Sequence, residues 1–349
     1  MKKTILAAAA LLSLSGAALA QSVSIYGVLD ASIESVKGTE SVTRVTSDNY
    51  ASSRLGFKGV EDLGDGLKAK FVLEHNVKVD TGIQGNTPRF WDRAAWVGLE
   101  GGFGELRLGR IDSSIGLLAG NSAILGAQAY DDLKIAKTFA GDKYRRLDNA
   151  ITYYVPAVVP GLTAQIQYST ATGTSAAVGT EAKDDATAGS GTAFGLNVQY
   201  AAGPFGAGLG YINAKTDTSS AKKTDKGVLL YGSYDFGAAK LTAYYNQDST
   251  SGTAEDRTLF GIKVGVPVTK DFSLQASVAQ VKDQEQTANN KDDATIVAIK
   301  GVYNLSKRTA LYALITTVSN DDQVKLNVGQ ATDDGKNAHG IAFGIRHSF

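Results

Sequence analysis

The chain has 349 residues, its 35 lysines and arginines cancel 35 aspartates and glutamates, and it contains no cysteine. Balanced charge gives no case for nucleic acid as a partner, and the missing cysteine removes thiol catalysis, disulfides and cysteine-based metal sites. Thirty-nine glycines and fifteen tyrosines beside only five prolines point to strands, because strands use glycine where they bend or pack closely and tyrosine suits a boundary between water and lipid.

Residues 1–20 read as an export signal. Lys2 and Lys3 open it, an apolar stretch runs from Ile5 to about Leu14, and Ala18-Leu19-Ala20 offers a small-residue cleavage site. That stretch is too short to span a bilayer as a helix, and nothing after it is apolar enough to do so. Residues 21–349 are expected to form one domain.

Alternation begins at once. Val23, Ile25, Gly27, Leu29, Ala31 and Ile33 share one face, and Ser24, Tyr26, Val28, Asp30, Ser32 and Glu34 share the other. A strand repeats every two residues, so the two faces separate. The pattern returns at Leu67, Ala69, Phe71 and Leu73, at Leu147, Ile151, Tyr153 and Val155, and at Phe272, Leu274, Ala276 and Val278. Each run is about ten residues, the length a tilted membrane strand needs. Ile341, Phe343, Ile345, His347 and Phe349 form a last outward row, opposite Ala342, Gly344, Arg346 and Ser348.

The connections alternate in length. Short turns are expected at 64–66, 101–102, 160–161, 203–204, 237–238, 269–271 and 306–307. Long polar stretches lie between them at 37–50, 81–89, 112–145, 172–190, 216–226, 249–256, 283–291 and 319–337. Fifteen connections of this kind make about sixteen strands, with both chain ends on the short-turn side. The fold expected is therefore all-β: a transmembrane antiparallel β-barrel of about sixteen strands.

Several blocks resemble the trimeric porins of betaproteobacteria, which include the neisserial porins. They are Ser24-Ile25-Tyr26-Gly27-Val28-Leu29-Asp30, Ser53-Arg54-Leu55-Gly56-Phe57-Lys58-Gly59-Val60-Glu61-Asp62-Leu63-Gly64, Phe103-Gly104-Glu105-Leu106-Arg107-Leu108-Gly109-Arg110, the run Tyr303 to Tyr312, and the closing Gly344-Ile345-Arg346-His347-Ser348-Phe349. The resemblance implies a homotrimer in outer-membrane lipid and lipopolysaccharide, with a channel for ions and small hydrophilic solutes in each subunit and no cofactor. It also implies that the third long loop, 112–145, folds inward and constricts the pore. Its apolar residues Ile115, Leu117, Leu118, Ile124 and Leu125 would gain shelter from water there.

Alternation turns Arg54, Lys58 and Glu74 inward and leaves the direction of Arg93 open. Arg146 opens the predicted sixth strand on its polar face. By resemblance Arg54, Arg93 and Arg146 are the basic side of the constriction, with Glu74 the acid beside them. Asp112, Asp131 and Asp132 are the acids expected on the loop. Arginine keeps its charge and holds carboxylates in a fork, so three at a narrow point favour anions. The three histidines, His75, His339 and His347, show no metal-ligand spacing. The Gly206-Ala207-Gly208-Leu209-Gly210 run has no helix after it and reads as a glycine-rich strand. Trp91 and Trp96 suit an aromatic girdle or a subunit contact. An outer-membrane hydrolase would need a Ser or Thr beside a histidine and an orienting group, and none of the three histidines lies near a nucleophile motif. The alternative is a substrate-specific channel for a sugar or organic acid, against which the few inward tyrosines count.

Overall fold

The computed structural model describes residues 21–85, 89–122, 130–170, 190–218, 221–288 and 291–349. Seventeen strands run in chain order: β1 (Gln21–Lys37), β2 (Ser41–Ser47), β3 (Arg54–Gly64), β4 (Leu67–Asn76), β5 (Ala94–Gly101), β6 (Gly104–Asp112), β7 (Arg146–Tyr154), β8 (Leu162–Ser169), β9 (Ser190–Ala202), β10 (Phe205–Thr218), β11 (Ala221–Asp235), β12 (Lys240–Thr250), β13 (Arg257–Pro267), β14 (Phe272–Lys282), β15 (Ala294–Asn304), β16 (Thr309–Asn320) and β17 (Ala338–Ser348). Among the described residues two short helices, α1 (Ser114–Ser122) and α2 (Asp132–Ile135), lie between β6 and β7.

Every strand pairs antiparallel with its neighbours, and the last returns to the first, with Val28 opposite Ser348 and Lys37 opposite His339. Gly27 and Phe349 exchange backbone hydrogen bonds at 3.2 and 3.1 Å, extending this seam to the final residue. On its other edge β1 pairs with β2 near its end and with β3 near its start. These two segments are one barrel position, interrupted at 48–53, so seventeen strands fill the sixteen positions expected. Among the described residues no helix is long and apolar enough to cross a membrane; the strands are the crossing elements.

The side chains sort as alternation requires. Ile25 is 63% exposed, and Leu29, Ile33, Val97, Leu108, Phe260, Val278, Ile315 and Phe343 are also exposed, whereas Val28, Asp30, Glu34, Ser277 and Ala342 are buried within. A band of exposed large apolar side chains on nearly every strand is foreign to a water-soluble surface and normal for one that faces lipid. Near the short turns Phe205, Tyr234 and Phe236 pack ring to ring at 4.8 and 4.5 Å.

The chain departs from the expected connections in three places. Half of the stretch 37–50 is the strand β2, which follows a tight turn from Lys37. The stretch 216–226 is largely the ends of β10 and β11, which pair as far as Thr218 and Ala221. Leu147 does not share a face with Ile151: the register shifts between β6 and β7, Asn149 takes φ +48°, and Leu147 turns into the core while Ile151 stays exposed. One extra residue in a strand reverses the alternation beyond it. The stretch 172–190 falls almost wholly outside the described residues, as do Ile124, Leu125 and the leader 1–20.

The described parts of the third long loop, 112–122 and 130–145, lie inside the barrel. Ile115 and Leu118 on α1 are wholly buried. They rest on a bare strip of wall: a Cβ at Gly208 would stand 2.5 Å from Leu118, at Gly210 3.1 Å from Leu118, and at Gly227 3.2 Å from Ile115. The glycine-rich strand seen in the sequence is thus the seat of this loop. Polar contacts fix the loop's position. Ser114 accepts from Asn197 (2.8 Å), Phe139 N donates to Asp248 (2.9 Å), Tyr144 donates to Asp225 (2.6 Å), and Tyr130 donates to Glu34 (3.2 Å). The last loop, 321–337, also turns inward, burying Val324, Leu326 and Val328.

Leu118→Ala empties the centre of this seat and should weaken loop docking by about 2–5 kcal/mol. Trypsin cleavage within 112–145 should rise while the barrel keeps its far-ultraviolet spectrum.

Candidate functional site

Register fixes which side chains enter the lumen. Arg54 stands opposite Val28, Lys58 opposite Ser24, and Tyr26 and Glu74 both opposite Gly56. Val28 is buried and its neighbours Gly27 and Leu29 belong to the outward row, so this whole set points inward. A Cβ at Gly56 would lie 2.3 Å from Tyr26 Cζ. Its absence lets the Tyr26 ring lie across β3 and donate to Glu74 Oε2 at 2.9 Å.

Glu74 is the centre of a compact charge group. Arg93 Nε approaches its Oε1 at 2.6 Å, and Arg54 Nε approaches its Oε2 at 3.5 Å. The Arg93 side-chain contact resolves its direction, since it reaches the inward carboxylate of Glu74, and Arg93 N also donates to the Glu74 carbonyl at 3.2 Å. A second group forms at the base of the third loop. Asp112 faces Arg146 Nε at 3.1 Å and Arg145 Nη1 at 3.4 Å. Arg93 lies within electrostatic reach of both Asp112 and Arg146, so the two groups form one basic wall along β3–β7. Lys58 extends it, 5.2 Å above the Tyr26 ring. Nearer the short turns Arg107 sits between Trp96 and Tyr154, at 4.2 and 4.3 Å from the ring centres, and pairs with Glu105 at 2.8 Å. Trp96 therefore serves the lumen rather than a girdle, since it stands opposite inward Val72. Trp91 packs on outward Phe57. His75 stacks on Phe90 at 4.6 Å.

The structure brings together Arg54, Glu74, Arg93, Arg146 and Asp112. Asp131 is placed elsewhere. It caps α2, accepting from Leu133 N at 3.1 Å, and is buried. The charges that act on it are Asp132 and Lys263. Asp132 Oδ1 lies 3.8 Å from Lys263 Nζ and its Oδ2 accepts from Tyr244. The loop acids thus meet the wall of β12 and β13 and stand apart from the arginine wall.

Sequence reading passed over Arg145, Lys263 and Lys300. Lys263 lies between outward Ile262 and Val264, and Lys300 follows outward Ile299, so alternation marks both as inward. Lys300 Nζ lies 4.4 Å from the Tyr50 ring centre, with Arg346 over the same ring at 5.5 Å. Arg346 acts electrostatically on both Arg54 and Lys300. Basic groups therefore continue around the lumen from the arginine wall toward the docked loop.

A closed barrel with an apolar exterior, a charged interior and a loop seated inside it is a transmembrane channel of the outer-membrane type. A profile described as Gram-negative porin matches residues 7–323. Outer membrane porin protein 32 of Delftia acidovorans is 34% identical over 262 residues, which cover 71% of this chain and 70% of that one. Major outer membrane protein P.IB of Neisseria meningitidis serogroup B is 38% identical over 120 residues, 32% of this chain and 34% of its own. Among solved structures, the anion-selective porin from Comamonas acidovorans superposes with a TM-score of 0.81 at 28% identity, over 94% of this chain and all of that one. A trimer form of OmpT from Vibrio cholerae shares the fold at a TM-score of 0.66 and 17% identity, over 95% of this chain. The chain belongs to the Gram-negative porin family, and it is an outer-membrane channel rather than an enzyme.

Asp112→Asn would leave Arg145 and Arg146 facing each other without a shared carboxylate. A cost of roughly 1–3 kcal/mol is expected, read as a lower thermal midpoint of the folded barrel in detergent.

Proposed function

We propose that the channel admits ions and small hydrophilic solutes by passive diffusion and prefers anions. The observation that carries this reading is the ratio of charges on the basic wall. Arg54 and Arg93 share Glu74, and Arg145 and Arg146 share Asp112. Four guanidinium groups meet two carboxylates, so positive charge is left over where the seated loop narrows the lumen. Water confined between protein walls screens such charge less than bulk water does. The likeness to the anion-selective porin from Comamonas acidovorans supports the same sign.

The residues assigned to the constriction are Arg54, Arg93, Arg146, Glu74 and Asp112. Asp131 stands apart from this group: it caps α2 next to Asp132, the acid that pairs with Lys263, and so helps hold the loop that narrows the pore. The working unit in this reading is a homotrimer of residues 21–349 in outer-membrane lipid and lipopolysaccharide, formed after removal of residues 1–20. The trimer form among the structures of the same fold is compatible with it.

Planar-bilayer recording under a salt gradient tests the proposal. The wild type should give steps in threes and a reversal potential on the anion side. Replacing Arg54, Arg93 and Arg146 together by glutamine should move that potential toward cations, and Glu74→Gln should move it the other way. An unchanged potential in both variants would place charge selection elsewhere.

A further inference from the structure

On the long-loop side, the described residues 283–288 and 291–293 between β14 and β15 bring three acids together. One carboxylate oxygen from each of Asp283, Asp292 and Asp293 lies within 4.8 Å of the other two. Glu255, from the neighbouring loop, adds its charge to the field at Asp283. Lys282 pairs with Asp293 Oδ2, and Asp293 Oδ1 accepts from Asp283 N at 3.2 Å. One lysine thus stands against three close carboxylates.

A second observation is independent of charge. Asp292 is wholly buried; its Oδ2 receives one long bond from Thr287 Oγ1 at 3.4 Å, and its Oδ1 has no donor. Gln284, whose N donates to the Asp292 carbonyl at 2.9 Å, is also buried, and its Oε1 likewise has no donor. Buried oxygens are normally satisfied. Two unsatisfied ones in the same turn as three clustered carboxylates are what an oxygen-ligated cation would complete.

We propose that Asp283, Asp292 and Asp293 hold a calcium-type divalent cation at the outer mouth of the channel. The donors are oxygens only, which suits a hard ion and not zinc. The loop is stitched to both neighbours: Ala254 N donates to Gln286 O at 3.2 Å, Asp321 N to Asp293 O at 3.0 Å, and Lys291 pairs with Asp322 at 2.6 Å. An ion here locks three outer loops to one another.

The test is calorimetric titration of calcium chloride into refolded, lipopolysaccharide-free protein in detergent after chelator treatment. One ion per chain is expected, with Kd on the order of 10⁻⁴–10⁻³ M, the range of extracellular calcium modules. Calcium should also slow proteolysis between residues 283 and 293. Asp283→Asn and Asp292→Asn should each weaken binding about tenfold or more, since site affinity follows ligand charge, and Lys282→Gln should tighten it. Normal single-channel conductance shows that each variant is folded. No heat with the wild type at about 10 mM calcium, well above that range, would overturn the proposal. So would binding that survives unchanged in both aspartate variants, because the ion would then lie on other acids.

Discussion

Closure of the sheet is the constraint on which everything else rests. The hydrocarbon layer offers no water to an unpaired N–H or C=O, and each such group costs several kcal/mol there. An open edge along β1 would expose a row of them. The seam between β1 and β17, carried to the last residue by the Gly27–Phe349 bonds, removes that edge. Closure also makes alternation meaningful. Once the sheet has an inside and an outside, the same two-residue period that sends Ile25 to lipid must send Tyr26 to the lumen, and every later assignment follows from this division.

The interior poses the opposite problem. Sixteen strands enclose more space than wall side chains can fill, and the third loop occupies it. The loop carries apolar residues that need shelter, while the wall is largely polar. The chain reconciles the two at Gly208, Gly210 and Gly227, where missing side chains let Ile115 and Leu118 approach the backbone. Charged groups then secure the loop's far end: Lys143 of the loop pairs with Asp225 at 2.5 Å, and Arg257, itself paired with Asp248 on the wall at 2.7 Å, donates to the Lys137 carbonyl at 2.9 Å. Packing sets where the loop lies, and hydrogen bonds to charged groups hold it there.

The features that follow period two were legible in the sequence. The outward rows led by Ile25 and Phe343 and the inward set of Arg54, Lys58 and Glu74 come from it, while the strand number came from the alternation of short turns and long loops. What escaped depends on breaks in the period. The Asn149 bulge turned Leu147 inward, and the excursion at 48–53 hid β2 inside a stretch that looked like loop. Arg93 lies just before β5, outside any alternating run, so only its bond to Glu74 gives its direction. Asp131 was unreadable for a different reason: its place depends on how a long loop crosses the lumen, which no local pattern encodes.

Charge pairing inside the barrel comes in two forms, and under the proposed function the difference separates support from selection. Arg44 with Glu34, Lys78 with Asp48, and Arg257 with Asp248 are matched pairs. Each neutralises itself and ties one segment to another, so little field remains for a passing ion. On the arginine wall each carboxylate is shared. Glu74 orients Arg54 and Arg93 without cancelling both, and Asp112 does the same for Arg145 and Arg146. Four like charges on one wall would repel and splay without those acids, and with four acids they would be mute. Shared carboxylates hold the guanidinium groups in place while leaving net positive charge facing water. Arginine suits such an arrangement better than lysine, because its planar fork can bond one carboxylate and still present donors to an anion.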